Sequence, residues 1–299
     1  MPTEWARGYL PADSVVAEKI AAIYPGLSAA LKQFADFVLA EPMKVAKMSI
    51  NETVHASGVS VATANRFARK LGFEGYAQFR TEVIEAFEPM FAPVERLRTA
   101  ISKDSPAAEI VASSLEEDIE NLRASMLNLD AARLEQAVEM IVKADRIYML
   151  AFDNAGALAN VFAHRMEMAG KRIRMVDNAG GTLTAARHLS SFTERDLVFA
   201  IAFPRYMRDT VDLARAAHKK GLPMLALTDT QASPLASLGS LTLYVHSRRT
   251  IGSTSDAAIL AILEALAAAV SAKLPGATDA AQHFADFAYP WFISPGGRG

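Results

Sequence analysis

The sequence predicts two domains of different class, an all-α domain followed by an α/β domain with a doubly wound parallel sheet. Two observations carry this prediction. Residues 49–72 read as two short amphipathic helices joined at a glycine, and after residue 145 five β-rich runs alternate with helical stretches. Strands about 25 residues apart with helices between them indicate a parallel sheet covered on both faces. A chain of 299 residues has room for both domains.

The helix pair begins with a capping signal. Ser49 and Glu52 have the spacing of a capping box, in which each side chain binds a free backbone N–H group of the other residue. The first helix is expected to run to about Ala56. Gly58 supplies the left-handed backbone of a sharp corner, and Ser60 caps the second helix. The pattern predicts a helix-turn-helix.

The second helix has an apolar stripe and a polar, cationic face. The stripe repeats at i, i+3, i+4 and i+7 and must be buried; it consists of Ala64, Phe67, Ala68 and Leu71. A face of Arg, Asn, Thr and Ala suits the major groove, so double-stranded operator DNA is the predicted partner. The predicted DNA-contacting residues are Ser49, Ser60, Ala62, Thr63, Asn65, Arg66, Arg69 and Lys70. The alternative is a structural helix pair whose charges are merely solvated.

The rest of the chain is divided as follows. The helix-turn-helix domain covers residues 1–95, in which residues 1 to about 22 look like a loose lead-in. A helix capped by Ser28 ends near Pro42, another ends near Pro89, and Pro93 marks the boundary. A helical linker occupies 96–125, the α/β domain 126–275 and a tail 276–299. Helical spacing from 105 to 143 predicts as buried Ile110, Val111, Leu115, Ile119, Leu122, Leu127, Leu129, Leu134, Val138 and Ile141.

The predicted strands are 147–152, 172–176, 197–203, 224–228 and 241–245. Open α/β sheets bind ligands outside the carboxyl ends of their strands. A polar turn also opens the last long helix, where free N–H groups favour an anion. The predicted ligand-binding residues are therefore Asn154, Arg205, Tyr206, Arg208, Ser253, Thr254 and Ser255.

Composition excludes several classes of protein. With no cysteine, the chain has no disulfides or thiolate sites. A net charge of −2 argues against nonspecific coating of nucleic acid. No leader pattern or apolar run of about 20 residues is present, so we expect a cytoplasmic protein with no membrane partner. The six histidines have no metal-ligand spacing, and no cofactor is predicted.

The sequence resembles the RpiR family of bacterial transcription regulators, in which a helix-turn-helix domain precedes a sugar isomerase (SIS) domain. The resemblance covers residues 27–270 and is strongest in 48–50, 56–60, Thr63 and 66–73; in the second domain it lies in 196–201, 227–229 and 233–236. It implies a dimer, or a higher oligomer, whose SIS domain senses a phosphosugar or related metabolite and changes operator binding.

Two loops depart from the family pattern. A Gly-x-Gly-x-Ser loop is expected after the first strand, where this chain has Ala151-Phe152-Asp153-Asn154-Ala155. A Ser-x-Ser-Gly-x-Thr loop is expected after the third strand, where 202–207 read Ala-Phe-Pro-Arg-Tyr-Met. Arginines thus replace hydroxyls, and a charged fork binds phosphate or carboxylate strongly. A phosphosugar, a sugar acid, another anion and an empty structural domain all stay open.

Two other functions are compatible with the second domain. A SIS-fold isomerase needs a base beside the substrate, for which Glu264 and His164 are nominal candidates; with no assembled acid/base pair we predict no enzyme. A protein-binding module leaves the basic helix unexplained. The apolar helix 256–272 fits either a core or a subunit interface. The C-terminal aromatics, expected to pack on a neighbour, are Phe284, Phe287, Tyr289, Trp291 and Phe292.

Overall fold

The computed structural model describes residues 14–102, 104–176 and 181–291. The chain divides into two compact units between Glu95 and Arg96. The first unit is helical, and the second contains all five strands that the structure describes. The predicted fold class, an all-α domain followed by an α/β domain, is confirmed.

The first unit consists of short helices. They are α1 (Val15–Ile23), α2 (Ala29–Ala40), α3 (Pro42–Lys47), α4 (Ile50–Ser57), α5 (Val61–Lys70) and α6 (Tyr76–Glu85), with a 3-10 turn at Tyr24–Gly26; α7 (Glu88–Ser102) contains the division between the units. The core is aromatic. Phe67 of α5 makes edge-to-face contacts with Phe34 and Phe79, at centroid distances of 5.2 and 5.8 Å.

One sequence expectation for this unit was wrong. The lead-in contains a helix, α1, whose Val16 and Ile20 are buried; residues 1–13 lie outside the described residues. Helix α2 ends at Ala40, near Pro42 as predicted, and Pro42 itself starts the short helix α3, as proline is well suited to the first helical position. A further helix that the sequence did not predict, α7, runs through position 93.

The second unit is a parallel α/β sandwich. Its strands are β1 (Ile147–Leu150), β2 (Ile173–Met175), β3 (Leu197–Ile201), β4 (Met224–Thr228) and β5 (Leu241–Tyr244), and its helices are α8 (Ala107–Asn128), α9 (Ala131–Lys143), α10 (Asp153–Met168), α11 (Gly181–Ser190), α12 (Arg208–Lys219), α13 (Asp256–Lys273) and α14 (Ala277–Ala288), followed by a 3-10 turn at Tyr289–Trp291. All neighbouring strands are parallel, in the order β2-β1-β3-β4-β5. The strand order reverses between β1 and β3, which is where such sheets place a ligand.

Each face of the sheet has its own apolar core. Alternate residues of a strand point to opposite faces, and β1 shows this: Met149 packs with α9, α10 and α13, whereas Tyr148 and Leu150 pack on the α11 and α12 side. Every residue of β1, β3 and β4 is buried. The continuous apolar runs of the sequence therefore correspond to strands covered on both faces.

Helix α8 corrects the predicted buried face. Val111, Leu115, Ile119 and Leu127 are exposed, whereas the buried side chains of α8 are Asn121 and Ser125. The apolar spacing does not identify the buried face of α8, because polar side chains of this helix form hydrogen bonds with backbone groups of residues 246–250.

Helices α13 and α14 end the described part of the unit. Helix α13 buries Ile259, Ile262, Leu263, Leu266 and Val270, as its composition predicts. The C-terminal aromatics have little cover from the described part of the chain: Phe284, Phe287, Tyr289 and Trp291 are exposed, and Phe292 lies outside the described residues. No single described helix has the length and apolarity to cross a membrane; only the bent pair 256–273 plus 277–291 passes, at an angle of 105°.

Candidate functional sites

The first candidate site is the surface of α5, which the corner after α4 positions. Both hydrogen bonds of the capping box are present, with Ser49 N donating to Glu52 Oε2 at 2.7 Å and Glu52 N donating to Ser49 Oγ at 3.4 Å. The backbone hydrogen bond from Ser49 lowers the pKa of Glu52. Gly58 adopts φ +70°, and Ser60 Oγ accepts from Thr63 N at 3.1 Å. The predicted helix starts and corner are confirmed.

Helix α5 separates the two faces that its sequence predicts. Ala64, Phe67, Ala68 and Leu71 are buried, whereas Ala62, Arg66, Arg69 and Lys70 are exposed and Thr63 and Asn65 are half-buried. Arg66 and Lys70 have no hydrogen-bond or ion-pair partner among the described residues. Their cationic groups are therefore available to a ligand.

Two of the predicted DNA-contacting side chains have partners inside the domain. Asn65 Oδ1 accepts a hydrogen bond from Tyr76 N at 3.1 Å, and Asn65 Nδ2 donates to Val61 O at 3.2 Å. Arg69 Nε donates to Glu74 O at 3.3 Å. These contacts tie α5 to the start of α6. Asn65 and Arg69 thus help to position the helix, and Arg69 keeps further N–H groups for a phosphate.

The second candidate site is a cavity of about 70 Å³ at the carboxyl ends of β1 and β3. Three segments enclose it: the start of α10, the loop after β3, and the turn before α13. Gly156 permits close packing there, since a Cβ would lie 2.9 Å from Ala151 O. The polar lining residues are Asp153, Asn154, Arg205, Thr210, Ser253, Thr254 and Asp256.

The structure brings together four of the seven predicted ligand-binding residues, namely Asn154, Arg205, Ser253 and Thr254. Tyr206, Arg208 and Ser255 do not line the cavity. Ser255 is fully buried, accepts from Ala258 N and donates to Asp118 Oδ1 at 2.6 Å, which is an N-cap role in α13. Arg208 is exposed and pairs with Asp212 at 3.3 Å.

Tyr206 supports the loop from outside the cavity. Its hydroxyl donates to Asp229 Oδ1, after β4, at 2.7 Å. Burial raises the pKa of Tyr206, and the hydrogen bond to Asp229 raises it further. The phenol therefore stays protonated and fastens the loop after β3 to the end of β4.

Sequence reasoning missed two lining carboxylates, Asp153 and Asp256. Asp256 Oδ1 accepts from Asn154 Nδ2 at 2.7 Å and from Thr254 Oγ1 at 3.1 Å, which joins the start of α10 to the start of α13. Both aspartates are the first residues of their helices. Asp256 follows the polar turn at 252–255, which is a signal for it in the sequence, whereas Asp153 follows Ala151 and Phe152 and has no such signal.

The cavity also contains unusual backbone. Asp153 and Arg205 have φ values of +54° and +62°, in the left-handed region that side chains other than glycine rarely adopt. Such conformations cost energy and persist where the surrounding structure imposes them. Both residues line the same cavity.

The nominal isomerase bases do not line this cavity. Glu264 pairs with Arg165 at 3.0 Å, and His164 is exposed on α10. Within the described ranges, no cluster of three or more His, Asp or Glu side chains is arranged to hold a metal ion.

Family models match both units. Residues 14–89 match the helix-turn-helix domain of the rpiR family, and residues 140–272 match the SIS domain. The chain belongs to the RpiR family. The suspected resemblance is confirmed, and the two matched segments contain the two candidate sites just described.

Curated relatives span most of this RpiR-family chain. An uncharacterized HTH-type transcriptional regulator of Haemophilus influenzae is 27% identical over 222 residues, covering 74% of this chain and 76% of its own. A second such regulator, from Thermotoga maritima, is 24% identical over 269 residues, covering 88% and 94% of the two chains.

Solved structures share the fold. NanR of Vibrio vulnificus, complexed with ManNAc-6P, is 21% identical with a TM-score of 0.56, covering 94% of this chain and 100% of its own. The sugar isomerase domain of an RpiR transcription factor from Sphaerobacter thermophilus is 27% identical with a TM-score of 0.56, covering 60% and 99%.

Proposed function

We propose that this RpiR-family protein is a DNA-binding transcriptional regulator whose SIS domain senses a small anionic metabolite of the sugar-phosphate or sugar-acid class. The single observation that carries the proposal is the exposed cationic face of α5 within an rpiR-family helix-turn-helix. The cavity at the switch point of the sheet supplies the sensing half.

The DNA-binding half follows from the chemistry of α5. Arg66 is exposed and has no hydrogen-bond or ion-pair partner in the part of the chain that the structure describes, so its planar fork can bind a guanine edge bidentately. Lys70, in the last turn, suits a phosphate. Ala62 and Thr63 lie near the helix start, where recognition helices meet bases, and Ser49 and Ser60 present exposed caps.

The sensing half follows from the cavity. Arg205 is a cation without an ion-pair partner in the described part of the chain, and it faces the same cavity as the hydroxyls of Ser253 and Thr254. NanR, a structural neighbour, was solved with ManNAc-6P, which supports a sugar-derived effector for this chain.

Catalysis is not part of the proposal. Glu264 is ion-paired away from the cavity, and the curated relatives are named as transcriptional regulators.

We also propose that the protein is a homodimer or higher oligomer, located in the cytoplasm. An oligomer is needed because one helix-turn-helix covers one half-site, and useful specificity requires two half-sites. Analytical ultracentrifugation of the full chain at micromolar concentration tests this; a monomer contradicts it.

Selection from a random double-stranded DNA pool, followed by sequencing, tests the regulator proposal. We expect enrichment of a two-fold symmetric site with half-sites about one helical turn apart, or a multiple of it. The Arg66→Ala variant is the matched control and should enrich a site with relaxed preference at one position. Enrichment of no sequence by the wild-type protein contradicts the proposal.

A further inference from the structure

The cavity at the ends of β1 and β3 has a charge balance that bears on the effector, given the proposed function. Among the described residues, two carboxylates, Asp153 and Asp256, and one guanidinium, Arg205, line it. Counted over these residues, its formal charge is −1. A phosphomonoester carries close to two negative charges at neutral pH, so it meets one cation and two anions of the protein.

Helix dipoles do not reverse this balance. A helix N-terminus carries about half a positive charge, which is why phosphates bind there. Helices α10 and α13 both start at this cavity, but their first residues are Asp153 and Asp256 themselves. Each helix end is thus offset by the carboxylate of its own first residue, and Arg205 is the lining cation among the residues that the structure describes.

Both carboxylates can accept hydrogen bonds from a ligand. Within the described ranges, Asp153 receives no hydrogen bond, and Asp256 receives two on Oδ1 and none on Oδ2. A carboxylate only accepts hydrogen bonds. The hydroxyl groups of a sugar are donors of the required kind.

We propose that this cavity selects a polyhydroxy carboxylate with a single negative charge, that is, a sugar acid, over the phosphate ester of the same sugar. The ligand carboxylate pairs with Arg205, and ligand hydroxyls donate to Asp153 and to Asp256 Oδ2. The proposal deepens the sensing half of the proposed function and rests on it.

The test uses the full chain and matched pairs of probes. Glucuronate is compared with glucose 6-phosphate, and galacturonate with galactose 6-phosphate, because the members of each pair differ in the anionic group at carbon 6. Thermal shift and calorimetry should show at least one uronate raising the melting temperature and binding about tenfold tighter than its phosphate partner.

Variants assign the preference to the lining charges. Arg205→Gln should weaken uronate binding more than tenfold, whereas Arg215→Gln, at an exposed arginine outside the cavity, should leave it unchanged. Asp153→Asn should raise affinity for the phosphate member several-fold. Asp279→Asn, at another helix N-terminus outside the cavity, is its control.

The outcomes separate this inference from the regulator proposal. A preference for the phosphate in both pairs, or no gain of phosphate affinity in Asp153→Asn, overturns the sugar-acid assignment and leaves the regulator proposal standing. If neither class stabilises the wild-type protein, the sugar-acid assignment and the sensing half both fail, while DNA selection still decides the DNA-binding half.

Discussion

Asn121 of α8 and Arg248, in the segment after β5, are joined by two hydrogen bonds. Asn121 Nδ2 donates to Arg248 O at 2.7 Å, and Arg248 N donates to Asn121 Oδ1 at 2.9 Å. Asp118 extends this contact, since its Oδ1 accepts from Arg249 Nη1 at 2.8 Å and from Ser255 Oγ at 2.6 Å. One face of α8 therefore holds the segment that leads to the cavity-lining turn at Ser253 and Thr254.

Removing the Asn121 amide should destabilise the second unit. Asn121 is 5% exposed, so Asn121→Ala loses two hydrogen bonds in a buried place, a cost of about 1–3 kcal/mol. Unfolding in urea measures the free energy of unfolding. Asn160→Ala, on the exposed side of α10, is the control and should change the free energy of unfolding by less than about 0.5 kcal/mol. Equal stability of the two variants contradicts a holding role for Asn121.

Gly58→Ala should damage the helix-turn-helix. At φ +70° a side chain is strained, and a Cβ would lie 2.9 Å from Gln33 Nε2, which itself donates to Ser57 O. We expect a loss of about 1–2 kcal/mol of stability with weaker operator binding. Gly26→Ala, where the space is open, is the control. Thermal unfolding with operator titration checks both, and an unaffected Gly58→Ala protein argues against the corner geometry.

Tyr206→Phe should weaken effector binding without changing effector-free operator binding. The variant loses the hydrogen bond to Asp229 that fastens the loop bearing Arg205. Hydrogen bonds to charged groups contribute about 1.5–3 kcal/mol, and because Tyr206 is half-buried we expect the lower end. Calorimetry with the best probe measures this, with exposed Tyr289→Phe as control. A wild-type effector affinity excludes the supporting role.

Acid should unfold the second unit partly through Asp196. The hydrogen bonds from Arg146 lower the pKa of this buried carboxyl to about 2. A group whose folded pKa is depressed stabilises the fold above its unfolded pKa of about 3.9, and that stability is lost as the pH falls towards 2. Because Arg146 is partly exposed, we expect on the order of 1–2 kcal/mol.

Asp196→Asn isolates this contribution. Denaturation at pH 7 should show the variant less stable than the wild type, and the difference should shrink as the pH falls from about 4.5 to 2. A difference that is constant with pH contradicts the assignment. Asp212→Asn, at an exposed carboxylate, is the control.

Regular periodicity made most of the fold predictable. The five strands were located within a few residues because short β-rich runs recur about 25 residues apart, with helical stretches between them. Ser49, Gly58 and Ser60 located the helix-turn-helix through local backbone chemistry. Helix α1 was missed because its stabilising contacts are distant, such as Lys19 Nζ donating to Leu71 O at 3.0 Å.

The candidate sites were less predictable for the same reason. Long-range contacts decide which polar side chains after a strand face the cavity. Tyr206 instead donates a hydrogen bond to Asp229, and Ser255 donates one to Asp118. On α5, sequence placed Asn65 on the correct face, but its hydrogen bond to Tyr76 N depends on where α6 begins. The residue-level assignments at both sites stay predictions.

The most direct test of α5 as the DNA-reading helix is how affinity for the selected operator depends on salt concentration. Fluorescence anisotropy measures this for the wild type, Arg66→Ala and Lys70→Ala. Arg123→Ala, at an exposed arginine of α8, is the control. Arg66→Ala should lose about 1–3 kcal/mol of operator-binding free energy, and the loss should depend on the base at one operator position. Lys70→Ala should weaken binding to all DNA sequences alike and reduce the slope of log affinity against log salt by about one. Wild-type affinity and slope in both variants would contradict α5 as the DNA-reading helix.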